Sequence, residues 1–294
     1  MGRKLPDWLK VNYNKEAVDE VSHLMADLKL NTVCKEANCP NLGECFKKKT
    51  ATFMILGSVC TRNCRFCNVS NGHAAEVDPE EPINLALAAK ALGLKHVVIT
   101  SVTRDDLPDG GAAHFASTIE AVRKHNPDTT IEVLIPDLEG VHENLDIIIN
   151  ANPNVINHNI ETVKYLYADV RPQADYERSL HVLKYVKEKA PAIITKTGIM
   201  VGLGETDEQV YEVMDDCLKV NCDIFTIGQY LRPSEDHIEL KEYVTPEKFE
   251  EYKKAGQEKG FKYIASGPLV RSSYKAEEAS SVFKQGEINA AQYN

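Results

Sequence analysis

From about residue 51 onward, apolar β-branched runs alternate with stretches whose apolar positions return every three or four residues. The runs at 52–59, 96–102, 130–135, 155–160, 193–201 and 223–231 are rich in Val, Ile, Thr or Phe and predict six strands. The stretches at 84–92, 112–125, 141–150, 176–189 and 207–220 predict helices, and a last helix follows the sixth strand. Thr206 with Gln209 forms a capping-box pattern, Thr245-Pro246 supplies an N-cap followed by proline, and Gly260 stands where a helix would stop. Continuous apolar strands separated by helices predict an α/β fold with a parallel sheet covered on both faces. Six such units predict a partial (β/α)6 TIM-type barrel, in which ligands gather at the carboxyl ends of the strands. Residues 1–50 carry charge and turn formers without that rhythm.

The length of 294 residues suits one large barrel or two ordinary domains. A content of 43% hydrophobic and 27% charged residues fits a globular protein, and no apolar run approaches a membrane span, so no membrane partner is expected. The start, Met1 to Lys10, lacks the apolar core of a secretory signal, which predicts a cytoplasmic location. A net charge of −10 argues against a nucleic-acid partner, because such binding relies on Lys and Arg neutralising phosphates. In a reducing compartment the eight cysteines read as metal or redox chemistry rather than disulfides, and six of them fall between Cys34 and Cys67.

Directly after the first strand, Cys60, Cys64 and Cys67 place three thiols on one short loop in a CxxxCxxC spacing. Thiolate is the soft ligand that iron–sulfur clusters require, and three ligands for four irons leave one iron open. Zinc is the competing reading, although a structural zinc site usually takes four ligands. Upstream, Cys34, Cys39 and Cys45 form a CxxxxCxxxxxC set whose wide spacing fits zinc or a cluster equally well.

The CxxxCxxC loop, with Phe66 before its third cysteine, resembles the signature of the radical S-adenosylmethionine (SAM) superfamily. That resemblance implies a [4Fe-4S] cluster on Cys60, Cys64 and Cys67. Its open iron chelates SAM, and reductive cleavage of SAM gives a 5'-deoxyadenosyl radical that abstracts hydrogen from unactivated carbon. The two cysteine sets together, with Val98-Ile99-Thr100-Ser101-Val102, Asn157-His158-Asn159-Ile160-Glu161, Gly202-Leu203-Gly204-Glu205-Thr206 and Gly267-Pro268-Leu269-Val270-Arg271-Ser272-Ser273-Tyr274, are similar to the lipoyl synthase family within it. The similarity runs along nearly the whole chain.

Membership in that family implies sulfur insertion at C6 and C8 of a protein-bound octanoyl-lysine. It implies a second, auxiliary [4Fe-4S] cluster on Cys34, Cys39, Cys45 and Ser273, which yields the sulfur. A serine oxygen is a harder and poorer partner for iron than thiolate, which suits a cluster meant to be dismantled. The partners implied are an octanoylated lipoyl carrier protein, of lipoyl-domain or glycine-cleavage H-protein type, and an electron donor such as flavodoxin or ferredoxin. The organisation implied is an N-terminal extension over 1–50 with the auxiliary cysteines, a radical SAM barrel over 51–260, and a C-terminal extension over 261–294 with the RSSY motif. Both extensions are expected to close over the barrel mouth. The rivals are another sulfur-inserting radical SAM enzyme, such as a methylthiotransferase, and a non-catalytic metal-binding or electron-transfer protein.

Around the barrel mouth, Asn159 and Glu161 project the same way from the fourth strand and are candidates for the SAM ribose, against a reading of Glu161 as a helix start. Gly202 and Glu205 lie in a segment that resembles the superfamily's adenine-side GxIxGxxE motif, with Met200 for the central isoleucine. Phe66 and Arg171 complete the cofactor candidates, Arg171 balanced against a solvated salt bridge. Asp109-Gly110-Gly111 stands where related enzymes grip the SAM amino group but lacks their glutamate. Arg104, Asp105 and Asp106 are expected beside the mouth, His158 reads as a structural histidine, and Cys217 and Cys222 as ordinary small residues.

Overall fold

The protein is described by a computed structural model over residues 4–11, 15–37, 39–47 and 52–273. The chain opens with α1 (Lys15–Asp27), β1 (Asn31–Thr32), α2 (Val33–Glu36) and α3 (Leu42–Lys47). β2 (Thr52–Ile55) is followed by the short parallel pair β3 (Val59–Cys60) and β4 (Ser70–Asn71). The alternation then runs α4 (Glu81–Leu92), β5 (His96–Ser101), α5 (Ala112–His125), β6 (Thr130–Leu134), α6 (His142–Asn150) and β7 (Val155–Asn157). It continues through α7 (Tyr167–Val170), α8 (Tyr176–Lys189), β8 (Ile194–Val201), α9 (Asp207–Lys219), β9 (Ile224–Gln229), α10 (Pro246–Lys259) and β10 (Tyr263–Gly267).

The main sheet has the order β1-β2-β5-β6-β7-β8-β9-β10, with β1 antiparallel to β2 and every other pair parallel. It stays open between β1 and β10, so the barrel is partial, as the six βα units predict. β10 is a seventh parallel strand with no counterpart among the predicted six. Only Ile264 in it is deeply buried, which leaves a weak apolar pattern. The N-terminal stretch is also more ordered than its charge suggests, since Val18, Val21 and Met25 make an apolar stripe that seats α1 on the core beside Leu30 and Phe53.

Two strands end before their apolar runs do. Leu56 at φ 68° and Gly57 at φ 91° turn the chain out of β2 and into the cysteine loop. Past β7, backbone pairing persists through His158 N–H to the Lys196 carbonyl (3.0 Å) and Glu161 N–H to the Gly198 carbonyl (2.9 Å). The helix punctuation holds: Thr206 and Gln209 form a reciprocal capping box, and Thr245 caps α10 through Lys248 N–H.

The two faces of the sheet carry different chemistry. Outward residues such as Val97, Ile99, Val133 and Ile156 pack against Leu85, Phe115 and Ile119 of the helices. The inner face instead carries a buried ionic network, with Lys196 Nζ 2.8 Å from Glu132 and His96 Nε2 3.0 Å from the other Glu132 oxygen. Burial alone would push the Glu132 carboxyl up, but the Lys196 charge and the His96 hydrogen bond hold it down to about 2. Lys196→Met removes the cation from that carboxylate and leaves it His96 and a long bond from Asn157 Nδ2, and we expect a loss of about 3 kcal/mol in unfolding free energy by urea titration. An unchanged midpoint would contradict the network's role.

Candidate active site and its two cysteine sets

The CxxxCxxC loop hangs from the carboxyl end of β2 and is held from three sides. Cys60 Sγ accepts the backbone N–H groups of Arg62 (3.4 Å) and Thr103 (3.3 Å). Arg65 N–H bonds the Val170 carbonyl at 2.9 Å, and Asn68 Nδ2 reaches the Glu36 carbonyl at 2.8 Å. The strongest brace is Arg62, buried between Cys60 and Cys64. It makes a paired contact with Asp105 (2.7 and 2.9 Å) and another with Asp137 (2.9 and 2.8 Å). Burial raises the Asp137 pKa, yet the Arg62 bonds and charge outweigh it and hold the carboxyl at about 2. The sequence reading placed Asp105 near the mouth but passed over Arg62 and Asp137, whose pairing spans 75 positions and has no local signature.

The three thiols face one another and a cationic neighbour. Burial pushes Cys67 up to about 12 and raises Cys64, with the Arg171 guanidinium pulling Cys64 back down. Buried thiols of this kind stay protonated until a metal centre stabilises the thiolate, so cluster binding releases protons. A cavity of about 710 Å³ opens beside Cys64 and Cys67, lined also by Gln173 and His237.

Asn159, Glu161 and Arg171 are brought together next to Cys64. Asn159 Nδ2 donates to Glu161 Oε1 (3.2 Å), and Arg171 Nη1 donates to the Asn159 carbonyl (3.0 Å) and the Tyr167 hydroxyl (2.7 Å). Glu161 holds the left-handed conformation at φ 73°, which costs a non-glycine residue energy and aims its side chain. Burial raises the Glu161 pKa against the opposing pull of Arg171. The Asn159 Oδ1 and Arg171 Nε atoms are buried without a partner, an acceptor and a donor free for a polar ligand such as SAM.

The other mouth residues serve the loops themselves. The Glu205 carboxylate accepts the Gly202 and Leu203 N–H groups at 2.5 and 2.9 Å. A Cβ on Gly202 would lie 2.4 Å from Gln229 Nε2, so only glycine lets the loop after β8 press on β9. Phe66 packs on the cluster of Val170, Leu203, Tyr230 and Leu240. Asp109 caps α5 through the Gly111 and Ala113 N–H groups. Arg104 pairs with Asp106 at 2.8 Å. Cys217 and Cys222 are buried in the helix-side core, as ordinary small residues would be.

The second set lies where the α2–α3 region meets the stretch after β10. Cys34 lies buried on α2, its thiol pushed up to about 11 by burial, hydrogen-bonded to Thr52 and near Cys39. Thr52 Oγ1 in turn donates to Ser273 Oγ at 2.8 Å across 221 positions. Asn41 Nδ2 donates to the Leu269 carbonyl at 2.7 Å, fixing the loop between Cys39 and Cys45 to the same C-terminal segment. Tyr274 lies outside the described residues. Among the described residues no three Cys, His, Asp or Glu side chains converge on a point that one metal ion could occupy.

Two outcomes follow. Replacing Arg62 by Met takes the paired contacts from the buried Asp137 and from the more exposed Asp105, and we expect the first cluster's iron content to fall by more than half on reconstitution, measured by iron assay and absorbance; full iron content would contradict the clamp. The buried His158, bonded to the Ile135 carbonyl at 2.9 Å, is held down to about 4 chiefly by burial and then by Arg171. It therefore stays neutral in the folded chain while the unfolded chain binds a proton below its ordinary pKa near 6.5. That stability is complete above pH ~6.5 and is lost as pH falls toward ~4, at most about 3 kcal/mol in all. Chemical denaturation across that window should give a flatter profile for His158→Gln, and an unaltered slope would assign the pH dependence elsewhere.

Residues 54–217 match the model of the radical SAM superfamily. The chain is 58% identical over 277 residues to the lipoyl synthase of Caldanaerobacter subterraneus subsp. tengcongensis, covering 94% of this chain and 97% of that protein. It is 54% identical over 283 residues to the lipoyl synthase of Caldicellulosiruptor saccharolyticus, covering 96% and 99%. Among solved structures, the [FeFe]-hydrogenase maturase HydG superposes with a TM-score of 0.54 at 14% identity, covering 92% of this chain and 65% of that one. Streptococcus suis SuiB bound to S-adenosylmethionine gives 0.56 at 12% identity, covering 77% and 53%. These two share the fold; the sequence relatives carry the chemistry. The chain belongs to the lipoyl synthase family, radical SAM enzymes that insert sulfur using S-adenosylmethionine and [4Fe-4S] clusters.

Proposed function

We propose that the chain converts an octanoyl-lysine on a lipoyl carrier protein into lipoyl-lysine, inserting sulfur at C6 and C8. In this reading Cys60, Cys64 and Cys67 hold the SAM-cleaving cluster, and Cys34, Cys39, Cys45 and Ser273 hold an auxiliary cluster that gives up its sulfur. The observation that carries it is Thr52, whose hydroxyl bonds Ser273 at 2.8 Å while Cys34 bonds the same residue. That bond joins residues 221 positions apart and sets Ser273 and Cys34 on one threonine. When bound, the two clusters and SAM supply the electron, the hydrogen-abstracting radical and the sulfur.

The chain's own residues orient that chemistry. Arg171 offers its unpartnered Nε to an anionic group such as the SAM carboxylate, and Asn159 offers Oδ1 to a hydroxyl. Glu161, pinned by Asn159, accepts from a second hydroxyl of the ribose. Phe66 lends an apolar face, and Gly202 with Glu205 shapes the loop beneath the adenine. Residues 1–50 and 261–294 act as extensions that carry the auxiliary ligands onto a barrel core over 51–260. The carrier is of lipoyl-domain or H-protein type, the electron donor a flavodoxin or ferredoxin, and the setting the cytoplasm.

An anaerobic assay with SAM, a reductant and an octanoylated lipoyl-domain peptide tests this. The expected result is 5'-deoxyadenosine together with a mass gain from two sulfurs. Ser273→Ala should keep 5'-deoxyadenosine formation and lose most of the sulfur product. Sulfur product at the wild-type level from Ser273→Ala would remove the serine from the proposal, and no mass gain from the wild type would remove the proposal itself.

A further inference from the structure

The C-terminal segment leaves β10 at one edge of the open sheet and crosses toward β2, beside the other edge. On the way it presses onto the inner face of β9. A Cβ on Gly228 would lie 2.2 Å from the Val270 carbonyl oxygen and 3.3 Å from Nη1 of Arg271, so the strand surrenders a side chain to admit these two residues. The bond from Asn41 to Leu269 and the bond from Thr52 to Ser273 fasten the segment on either side of Arg271.

Between those fastenings stands a half-buried cation that makes no salt bridge among the described residues. Among the described residues the Arg271 guanidinium donates to the carbonyl of Val270, and the ionisable group that faces it is the Cys39 thiol. At the barrel mouth Arg62 is matched by Asp105 and Asp137 and Arg104 by Asp106, whereas Arg171, like Arg271, makes no salt bridge among the described residues and keeps its buried Nε for the anion of a ligand. A guanidinium withdrawn from water without an anion is costly, and it persists where an anion arrives later.

We infer that Arg271 is the charge partner of the auxiliary iron–sulfur centre. This rests on the proposed placement of that centre on Cys34, Cys39, Cys45 and Ser273. Three thiolates and a serine oxygen around a [4Fe-4S] core leave it net negative, and Arg271 is the fixed positive group beside one of them. Two consequences follow from Coulomb's law. The cation favours the more negative, reduced form of the centre and so raises its potential. The centre's charge in turn holds the segment that delivers Ser273, so losing either weakens the other. Arg271 is a positioning residue in this account, acting through charge while Ser273 supplies the bond.

The test uses full-length protein in the Cys60→Ala, Cys64→Ala, Cys67→Ala background, reconstituted with iron and sulfide, so that only the auxiliary centre remains. Its midpoint potential is read by an EPR-monitored redox titration, and iron release to a chelator is timed. Arg271→Gln should lower the potential and speed iron release several-fold, whereas Arg271→Lys, which keeps the charge, should stay near the parent in potential. An unchanged potential in Arg271→Gln, or an equal drop in Arg271→Lys, overturns the inference. A triple-alanine parent that binds no iron overturns the placement of the auxiliary centre instead, and the inference with it.

Discussion

A parallel sheet that fails to close must do something with its two edges, and here the hydrogen bond from Thr52 to Ser273 spans the opening. Thr52 begins β2, whose neighbour β1 is one edge; Ser273 follows β10, the other edge. The same threonine bonds Cys34, and the same strand leads through Leu56 and Gly57 into the loop of Cys60, Cys64 and Cys67. Both cysteine sets are therefore hung from one short strand. The open side of the barrel, a weakness in packing terms, is where Cys34 and Ser273 both reach Thr52.

Charge organises the rest of the mouth. Arg62 locks the first cysteine loop to the loops after β5 and β6, and Arg171 stands between Cys64 and Glu161. Below them Glu132, Lys196 and His96 fill the inner face with a satisfied ionic network rather than with an apolar plug. Groups already paired inside the protein are stiff, and two of the buried atoms left unpartnered, Asn159 Oδ1 and Arg171 Nε, lie next to the first cysteine set. A rigid polar frame with a few open valences suits an enzyme that must orient a radical's precursor before releasing its reactivity.

Much of this was legible in the sequence because it was local. The six βα units follow from apolar runs, the CxxxCxxC loop from its spacing, and the capping box of Thr206 and Gln209 from adjacency. The family resemblance of the RSSY segment, not its composition, pointed to Ser273. What escaped was long-range or weakly patterned: the Arg62–Asp137 pair, the seventh strand β10 with its single deeply buried apolar side chain, and α1, whose apolar stripe is diluted by charge. Glu205 was legible as a mouth residue, but only coordinates reveal that its carboxylate closes on its own loop.

The account stands on Ser273 completing the second cysteine set, and the direct measurement is an anaerobic crystal structure of the reconstituted protein. The predicted result is a [4Fe-4S] cluster bonded to Cys34, Cys39 and Cys45, with the Ser273 oxygen on its fourth iron. A fourth iron bound by water or by any other side chain, or a single zinc at the cysteines, would contradict it.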